Sequence, residues 1–273
     1  MGDIDVSPPG VDMTKPNIAR VYDYLLGGKD NFAADREMAE LTLRVMPDAR
    51  QGPRSNRAFL RRAVRYLAAE AGIRQFIDIG SGLPTQGNVH EIAQAIDPET
   101  RVVYVDHDPV VLAHARALLA NDFTSVVMGD LIQPESILND PTVRSVIDFD
   151  RPVALLLLSI LHHINEADDP ASIMATLRAA VVPGSHLAIS HLQNPGSRHP
   201  EDAELATIGE EIFKKSYGVG RWRSAEEILA FFGDWEPVSP GIVPTSEWRP
   251  DQDTDRTKYL TYYFVVGGVA RKP

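Results

Sequence analysis

The spacing of hydrophobic and polar residues changes once along the chain, near residue 75. Before that point, apolar side chains recur every three or four residues, which is typical of amphipathic helices. After it, short apolar runs alternate with helical patterns, which predicts a parallel sheet that is buried on both faces. The predicted strands are 75–79, 101–105, 125–128, 152–158, 186–190 and, at the end of the chain, 259–266.

Three helical patterns precede the first strand. The first begins near Pro16 and ends at Gly27-Gly28, because glycine adopts the left-handed conformation that terminates helices. The second covers about 30–45, and the third has Ser55 as its predicted N-cap and ends at Gly72.

Further helices are predicted between and after the strands. They are 88–96, 109–119, 134–146, 171–181, 201–214 and 225–232. We therefore expect an arm (residues 1–13) and a helical cap or lid within residues 1–72, followed by one doubly wound α/β domain over 73–273.

Composition narrows the function. The 273 residues include no cysteine, which excludes disulfides, thiolate metal sites and a cysteine nucleophile. A net charge of −11 repels polyanions, so we expect no nucleic-acid partner. No apolar run approaches the ~20 residues that span a bilayer. The acidic N-terminus differs from a signal peptide, so we expect a cytoplasmic protein without a membrane partner.

Acidic residues follow three successive predicted strands. The first strand runs into Asp78 and then a G-x-G turn at Gly80 and Gly82, where missing side chains let a ligand approach the backbone. The second strand ends at Asp106, near the place of the ribose-binding acid in nucleoside-binding units, and Asp130 follows the third. This pattern predicts a nucleoside site at one edge of the sheet.

The loop after the first strand is poorly suited to a dinucleotide. The dinucleotide fingerprint has a third glycine where Thr85 stands, and no lysine or arginine lies between Gly80 and Glu91 to hold a pyrophosphate. S-adenosylmethionine fits better, because it has no phosphate and carries a sulfonium and an ammonium that acids attract.

At these residues the sequence resembles the class I S-adenosylmethionine-dependent methyltransferases. More narrowly, it is similar to a bacterial family with a signature like PNIARVYDYLLGGKDNFAADR, here residues 16–36. Most of the chain shares the likeness, through FIDIGSGLPTQGNVHE, VVYVDHDP, GDLIQP, LLLLSILHHI and VVPGSHLAIS. The resemblance implies a Rossmann-like, mostly parallel sheet of seven strands with an antiparallel last strand. Pro84 departs from the general pattern, in which a further glycine is common.

The resemblance also implies roles for individual residues. Asp78 and the turn Gly80-Ser81-Gly82 would line the methionine half of the cofactor, and Asp106 would hold the ribose with His107 beside it. The adenine would lie against Gly129, Asp130 and the backbone of Leu131, and Ser159 would face the methionine moiety. The N-terminal segment would close over the site through Arg20, Tyr22, Gly27 and Gly28, with Arg20 near the cofactor carboxylate.

Histidines are the candidates for proton transfer. His162, after the fourth strand, is the predicted general base, and His191 is the next candidate. No metal-ligand spacing is present, so we expect no metal.

The main hypothesis is a methyltransferase that acts on an unidentified small-molecule acceptor by in-line transfer. The alternatives are a non-catalytic module that senses S-adenosylmethionine or S-adenosylhomocysteine, and a nicotinamide-dependent oxidoreductase. Neither the acceptor nor the oligomeric state can be predicted from the sequence; Trp222, Trp235 and Trp248 could pack against a flat acceptor or form core.

Overall fold

Five adjacent parallel strands form most of the sheet in a computed structural model of the protein, which describes residues 12–84, 87–118, 122–254 and 257–273. They are β1 (Gln75–Ile79), β2 (Arg101–Asp106), β3 (Thr124–Met128), β4 (Ala154–Leu158) and β5 (His186–Leu192). The short strands β6 (Glu236–Pro237) and β7 (Val243–Pro244) and the longer β8 (Val265–Arg271) complete the sheet. The order is β3-β2-β1-β4-β5-β8-β6, with β7 also paired to β8.

The sheet confirms the predicted class and corrects two details. β8 runs antiparallel to β5, so the last long strand is reversed as expected. The sheet has eight strands rather than seven, because two two-residue strands pair with β8. The predicted position of the last strand, 259–266, is wrong. Gly267 and Gly268 interrupt the apolar pattern of this strand, so the sequence pattern does not reveal it. Glycine is required at position 267 because a side chain there would come within 2.9 Å of Phe59.

Ten helices surround the sheet in the described part of the chain. They are α1 (Ile18–Leu26), α2 (Ala33–Val45), α3 (Gln51–Ala69), α4 (Val89–Gln94), α5 (Pro109–Leu118), α6 (Pro134–Leu138), α7 (Pro141–Val146), α8 (Pro170–Ala179), α9 (Pro200–Tyr217) and α10 (Ala225–Ala230).

The third helix and the helix predicted at 134–146 differ most from the prediction. Ser55 lies inside α3, where its hydroxyl donates to Gly52 O at 3.0 Å instead of capping the helix. The helix predicted at 134–146 is two helices, since Pro141 begins a new one capped by the Asp140 carboxylate. Residues 1–11 of the predicted arm and Thr85 in the turn after β1 lie outside the described residues.

Each face of the sheet has its own hydrophobic cluster, because successive strand residues point to opposite sides. Ile77 and Leu155 pack on one face against α6, α7, α8 and α10, whereas Phe76 and Leu156 pack on the other with α3. Helix α3 is therefore part of the main core. The division of the chain at residue 72 remains a prediction.

Helices α1 and α2 form a cap beside α9. Val21, Leu25 and Met38 make a small cluster that Ile212 and Tyr217 of α9 cover. This packing places the cap over the edge of the sheet where the parallel strands end. Among the residues that the structure describes, no helix has the length and apolar character needed to cross a membrane.

Candidate active site

A cavity of about 280 Å³ opens at the carboxyl edge of the sheet, beneath the cap. Its floor comes from the residues that follow β1, β2 and β4, and its roof comes from α1, α3 and α9. The strand order reverses between β1 and β4, since β2 and β3 lie on one side of β1 and β4 and β5 on the other. Doubly wound sheets bind their ligands at this switch point.

The turn after β1 has the open backbone that its glycines predicted. Gly80 has a φ of 72° and its N–H donates to Val105 O at 2.8 Å. A side chain there would come within 2.6 Å of Ile160, so close packing also requires glycine. Gly82 has a φ of 66°, and nothing lies within 4 Å of the place a Cβ would occupy. The turn thus leaves space for a ligand against the backbone.

Asp106 is fixed by two backbone groups. Its Oδ2 accepts from Gly82 N and its Oδ1 from Asp108 N, each at 2.9 Å. Each carboxylate oxygen has a second lone pair, so the group is able to accept two further hydrogen bonds, as a ribose diol would donate. Burial raises the pKa of this carboxyl group.

Asp78 is a buried acid whose pKa differs strongly from that of an exposed carboxyl group. Burial raises its pKa to about 7, the nearby Arg57 guanidinium opposes that change, and Asp106 adds to it. Asp78 is therefore only partly ionised at neutral pH, and a cationic ligand at this position would favour its charged form.

Nine of the predicted site residues line the cavity. They are Tyr22, Asp78, Gly80, Ser81, Gly82, Asp106, His107, Ser159 and His162. Tyr22 donates its hydroxyl hydrogen to Pro53 O at 3.2 Å and accepts from Asn56 Nδ2 at 2.9 Å. Ser159 has a φ of 58°, an uncommon conformation for a residue with a side chain, and its N–H donates to Ser190 Oγ at 2.9 Å.

Arg20 is absent from the described cavity lining, and its place near the cofactor carboxylate remains a prediction. Its side chain is buried, its Nε donates to Asp35 Oδ2 at 2.7 Å, and it also donates to Lys15 O at 2.9 Å. This guanidinium joins α1 to α2 and does not face the cleft. The basic residue that reaches the cavity beside Asp78 is Arg57 of α3, which the sequence interpretation missed.

Gly27 and Gly28 also lie outside the cavity lining. Gly27 ends α1 in the left-handed conformation, with a φ of 89°. A side chain at Gly28 would overlap the Asp23 carboxylate. Both glycines are therefore explained by local structure.

Gly129, Asp130 and Leu131 follow β3 and lie outside the cavity lining as well. A side chain at Gly129 would come within 2.8 Å of both Ile137 and Val105. The Asp130 carboxylate accepts from Ile132 N at 3.1 Å in a turn, and Leu131 is part of the core. Their role at the adenine remains a prediction.

The geometry does not suit His162 as a general base. Its Nδ1 accepts a hydrogen bond from Leu192 N at 3.3 Å, which occupies the lone pair of the neutral ring. Burial holds the pKa of His162 well below its ordinary value. His191 is also engaged, because its Nδ1 contacts Leu192 O at 2.6 Å and its Nε2 contacts Arg223 Nη1 at 3.2 Å.

Several cavity residues are not among the predicted site residues. Asp108 begins α5 as its cap and accepts from Asn17 Nδ2 at 2.6 Å, which ties α1 to the sheet. Phe213 and Trp222 lie far along the chain from the glycine turn, and only the tertiary structure brings them to it.

This architecture is that of a Rossmann-like nucleoside-binding enzyme. The sheet is doubly wound and ends in a reversed long strand, and a G-x-G turn and two acids lie beside the cavity at the switch point. A family model described as "S-adenosyl methyltransferase" matches residues 5–273. The chain belongs to this family: it is an S-adenosylmethionine-dependent methyltransferase, and S-adenosylmethionine is its cofactor.

Solved structures agree with this assignment. A proposed methyltransferase from Thermobifida fusca YX is 46% identical with a TM-score of 0.91, covering 98% of this chain and 99% of that one. A DUF574 family protein from Streptomyces avermitilis MA-4680 is 40% identical with a TM-score of 0.90, covering 96% and 99%. A search of curated proteins found no match. The narrower N-terminal signature remains a prediction.

The cavity fits the cofactor chemically. Asp106 retains two accepting lone pairs for a diol, and the open space at Gly82 admits a ligand against the backbone. Asp78 supplies negative charge for an ammonium, while Arg57 supplies positive charge for a carboxylate. S-adenosylmethionine carries each of these groups.

Proposed function

We propose that the protein transfers the methyl group to a small-molecule acceptor by in-line displacement inside this cavity. One observation carries the proposal. The cavity that holds the glycine turn and Asp106 is also lined by Phe213, Trp222 and Phe264, which are not among the residues expected to bind the cofactor. Cofactor and acceptor would therefore share one enclosed space.

The protein contributes mainly alignment and enclosure. Bound S-adenosylmethionine supplies a methyl group on a sulfonium that is already activated for displacement. Asp106 and Asp78 would fix the two ends of the cofactor, and the helices of the roof would hold the acceptor in line with the methyl group. Correct alignment of reacting groups can lower a barrier by ~7–11 kcal/mol.

Enclosure favours the reaction for a second reason. The positive charge spreads as the methyl group moves, and a site with little water stabilises such a dispersed charge better than a solvated one does. The cap formed by α1 and α2 covers the cavity and provides that exclusion.

A purely regulatory module would need only the cofactor end of the cavity. The cavity continues beyond the expected cofactor site toward α9. This additional space favours an enzyme over a sensor, because only an enzyme must bind an acceptor next to the methyl group.

The proposal is tested with S-adenosylmethionine carrying a labelled methyl group. The protein is incubated with cell extract divided into small molecules and macromolecules, and the label is followed by mass spectrometry. We expect label in the small-molecule fraction and its loss in Asp106→Ala. Labelling confined to protein or nucleic acid would refute the small-molecule acceptor.

A further inference from the structure

We infer that the acceptor is an uncharged, flat, mainly apolar molecule that carries a hydroxyl group, and that His163 Nδ1 accepts the hydrogen bond from that hydroxyl. This inference rests on the proposed function, because it names the class of molecule that occupies the far end of the same cavity.

The far end of the cavity is apolar and rich in aromatic rings. We call it the acceptor region and define it by Met46, Leu192, Ile212, Phe213, Trp222 and Phe264. The rings of Trp222 and Phe264 lie 5.4 Å apart, and a side chain at Gly209 would come within 2.5 Å of Trp222. A surface of this kind binds flat apolar molecules, since aromatic rings gain both buried area and ring contacts.

Charged groups in the described cavity lining lie outside the acceptor region. Asp78, Asp106 and Asp108 follow β1 and β2, and Arg57 acts on Asp78. Asp23 is engaged elsewhere, because its carboxylate accepts from Asp30 N at 2.9 Å and Asn31 Nδ2 at 2.8 Å. A charged acceptor would lose its water without gaining a partner of opposite charge, which is costly.

Two polar groups of this region lack hydrogen-bond partners in the described structure, Trp222 Nε1, which donates, and a ring nitrogen of His163. His163 is the one that accepts. Its ring stacks on Phe213 with centroids 5.4 Å apart and an angle of 20° between the planes. Its Nδ1 is buried without a hydrogen-bond partner in the described structure. A backbone hydrogen bond with Ser159 raises the pKa of His163, as a bond donated by the ring does, yet burial lowers that pKa to about 3.

These observations indicate which ring nitrogen of His163 carries the hydrogen. The ring is neutral and carries one hydrogen, which we assign to the nitrogen that is not Nδ1, because Nδ1 has no partner and the bond to the Ser159 backbone is one that the ring donates. An unpaired buried acceptor is satisfied only by a ligand that donates, and a hydroxyl donates without bringing a charge. His162 offers no such lone pair, because Leu192 N already occupies its Nδ1.

The experiment measures binding to protein saturated with S-adenosylhomocysteine, by isothermal titration calorimetry. Three probes share one ring system: 1-naphthol has the hydroxyl, 1-methoxynaphthalene lacks its hydrogen, and 1-naphthoate carries a charge. We expect 1-naphthol to bind about 2- to 12-fold more tightly than the ether, as one hydrogen bond predicts. We expect 1-naphthoate to bind at least 10-fold more weakly than 1-naphthol.

Two variants and a control locate the probe. His163→Phe keeps a ring on Phe213 but removes the nitrogen, so the preference for 1-naphthol over the ether should fall to about onefold. Phe213→Ala should weaken both neutral probes at least fivefold. Phe149→Ala removes a half-buried aromatic ring outside the cavity lining and should change neither value.

The outcomes separate this inference from the proposed function. Failure of the wild-type protein to bind S-adenosylhomocysteine would count against the cofactor site and the proposed function. If S-adenosylhomocysteine binds, the inference is overturned when 1-naphthol does not bind, when 1-naphthoate binds as well, or when His163→Phe keeps the preference for the hydroxyl.

Discussion

Replacing Asp78 with asparagine should stabilise the protein at high pH while it weakens cofactor binding. Burial moves the pKa of Asp78 from its ordinary 3.8 to about 7 in the folded protein. Between those two values the folded state binds more protons than the unfolded state does, so the stability that depends on Asp78 falls as the pH rises. Asparagine has no such titration.

The size of the effect follows from the same pKa. At ~1.4 kcal/mol for each pH unit between the two pKa values, the ionised carboxylate disfavours folding by about 4 kcal/mol above pH 7. Burial of the asparagine amide has its own cost, but that cost does not change with pH. The difference in unfolding free energy between Asp78→Asn and wild type should therefore increase by about 2–3 kcal/mol from pH 5 to pH 8.

Urea unfolding followed by tryptophan fluorescence at several pH values measures this difference. Asp97→Asn is the control: Asp97 is partly exposed, and hydrogen bonds from the Glu99 backbone and Arg74 lower its pKa. Asp97 is ionised in both states above pH 5, so its variant should show a constant difference. A constant difference for Asp78→Asn as well would refute our account of the buried carboxyl. Calorimetry should show S-adenosylmethionine binding at least 10-fold more weakly to Asp78→Asn, because the cofactor's ammonium loses a charged partner.

Further substitutions test the turn and the two arginines. Gly80→Ala should lower the unfolding free energy by about 2 kcal/mol or more and abolish cofactor binding, because it adds both backbone strain and a clash with Ile160. Gly72→Ala adds backbone strain alone, so it should lower the unfolding free energy by about 1 kcal/mol and leave cofactor binding intact. Equal effects of the two substitutions in thermal unfolding and calorimetry would contradict the packing argument. Arg57→Met should weaken S-adenosylmethionine binding about 10-fold with little loss of stability. Arg20→Met should instead lower stability by about 3–5 kcal/mol, because the buried Asp35 carboxylate would keep only its backbone hydrogen bonds and lose its cationic partner. A reversed pattern for the two arginines would favour the sequence-based placement of Arg20.

The parallel strands were predictable because each of them contains a short apolar run. The predicted bounds of β1 are those observed, and β2 to β5 differ only at their ends. β8 was misplaced because Gly267 and Gly268 interrupt its apolar run, and these glycines are required by contacts with Phe59 and Gly241 that local pattern does not reveal.

The site was predictable only where it follows the strands. Asp78 and Asp106 lie at strand ends, so the topology alone places them at one edge. The sequence pattern does not distinguish the roles of Arg20 and Arg57. Arg20 forms a buried ion pair because the fold places Asp35 beside it, and this position follows from tertiary structure. The aromatic side chains of the acceptor region come from α9 and from later residues, and only tertiary contacts bring them together, so no short motif predicts them.

The most direct test of the central claim is a crystal structure of the complex with S-adenosylhomocysteine. We predict that both ribose hydroxyls donate to Asp106, that the amino-acid end lies against Asp78 and Gly82, and that the sulfur faces the ring of Phe213. A nucleoside bound elsewhere, or a ribose held by groups other than Asp106, would contradict the account.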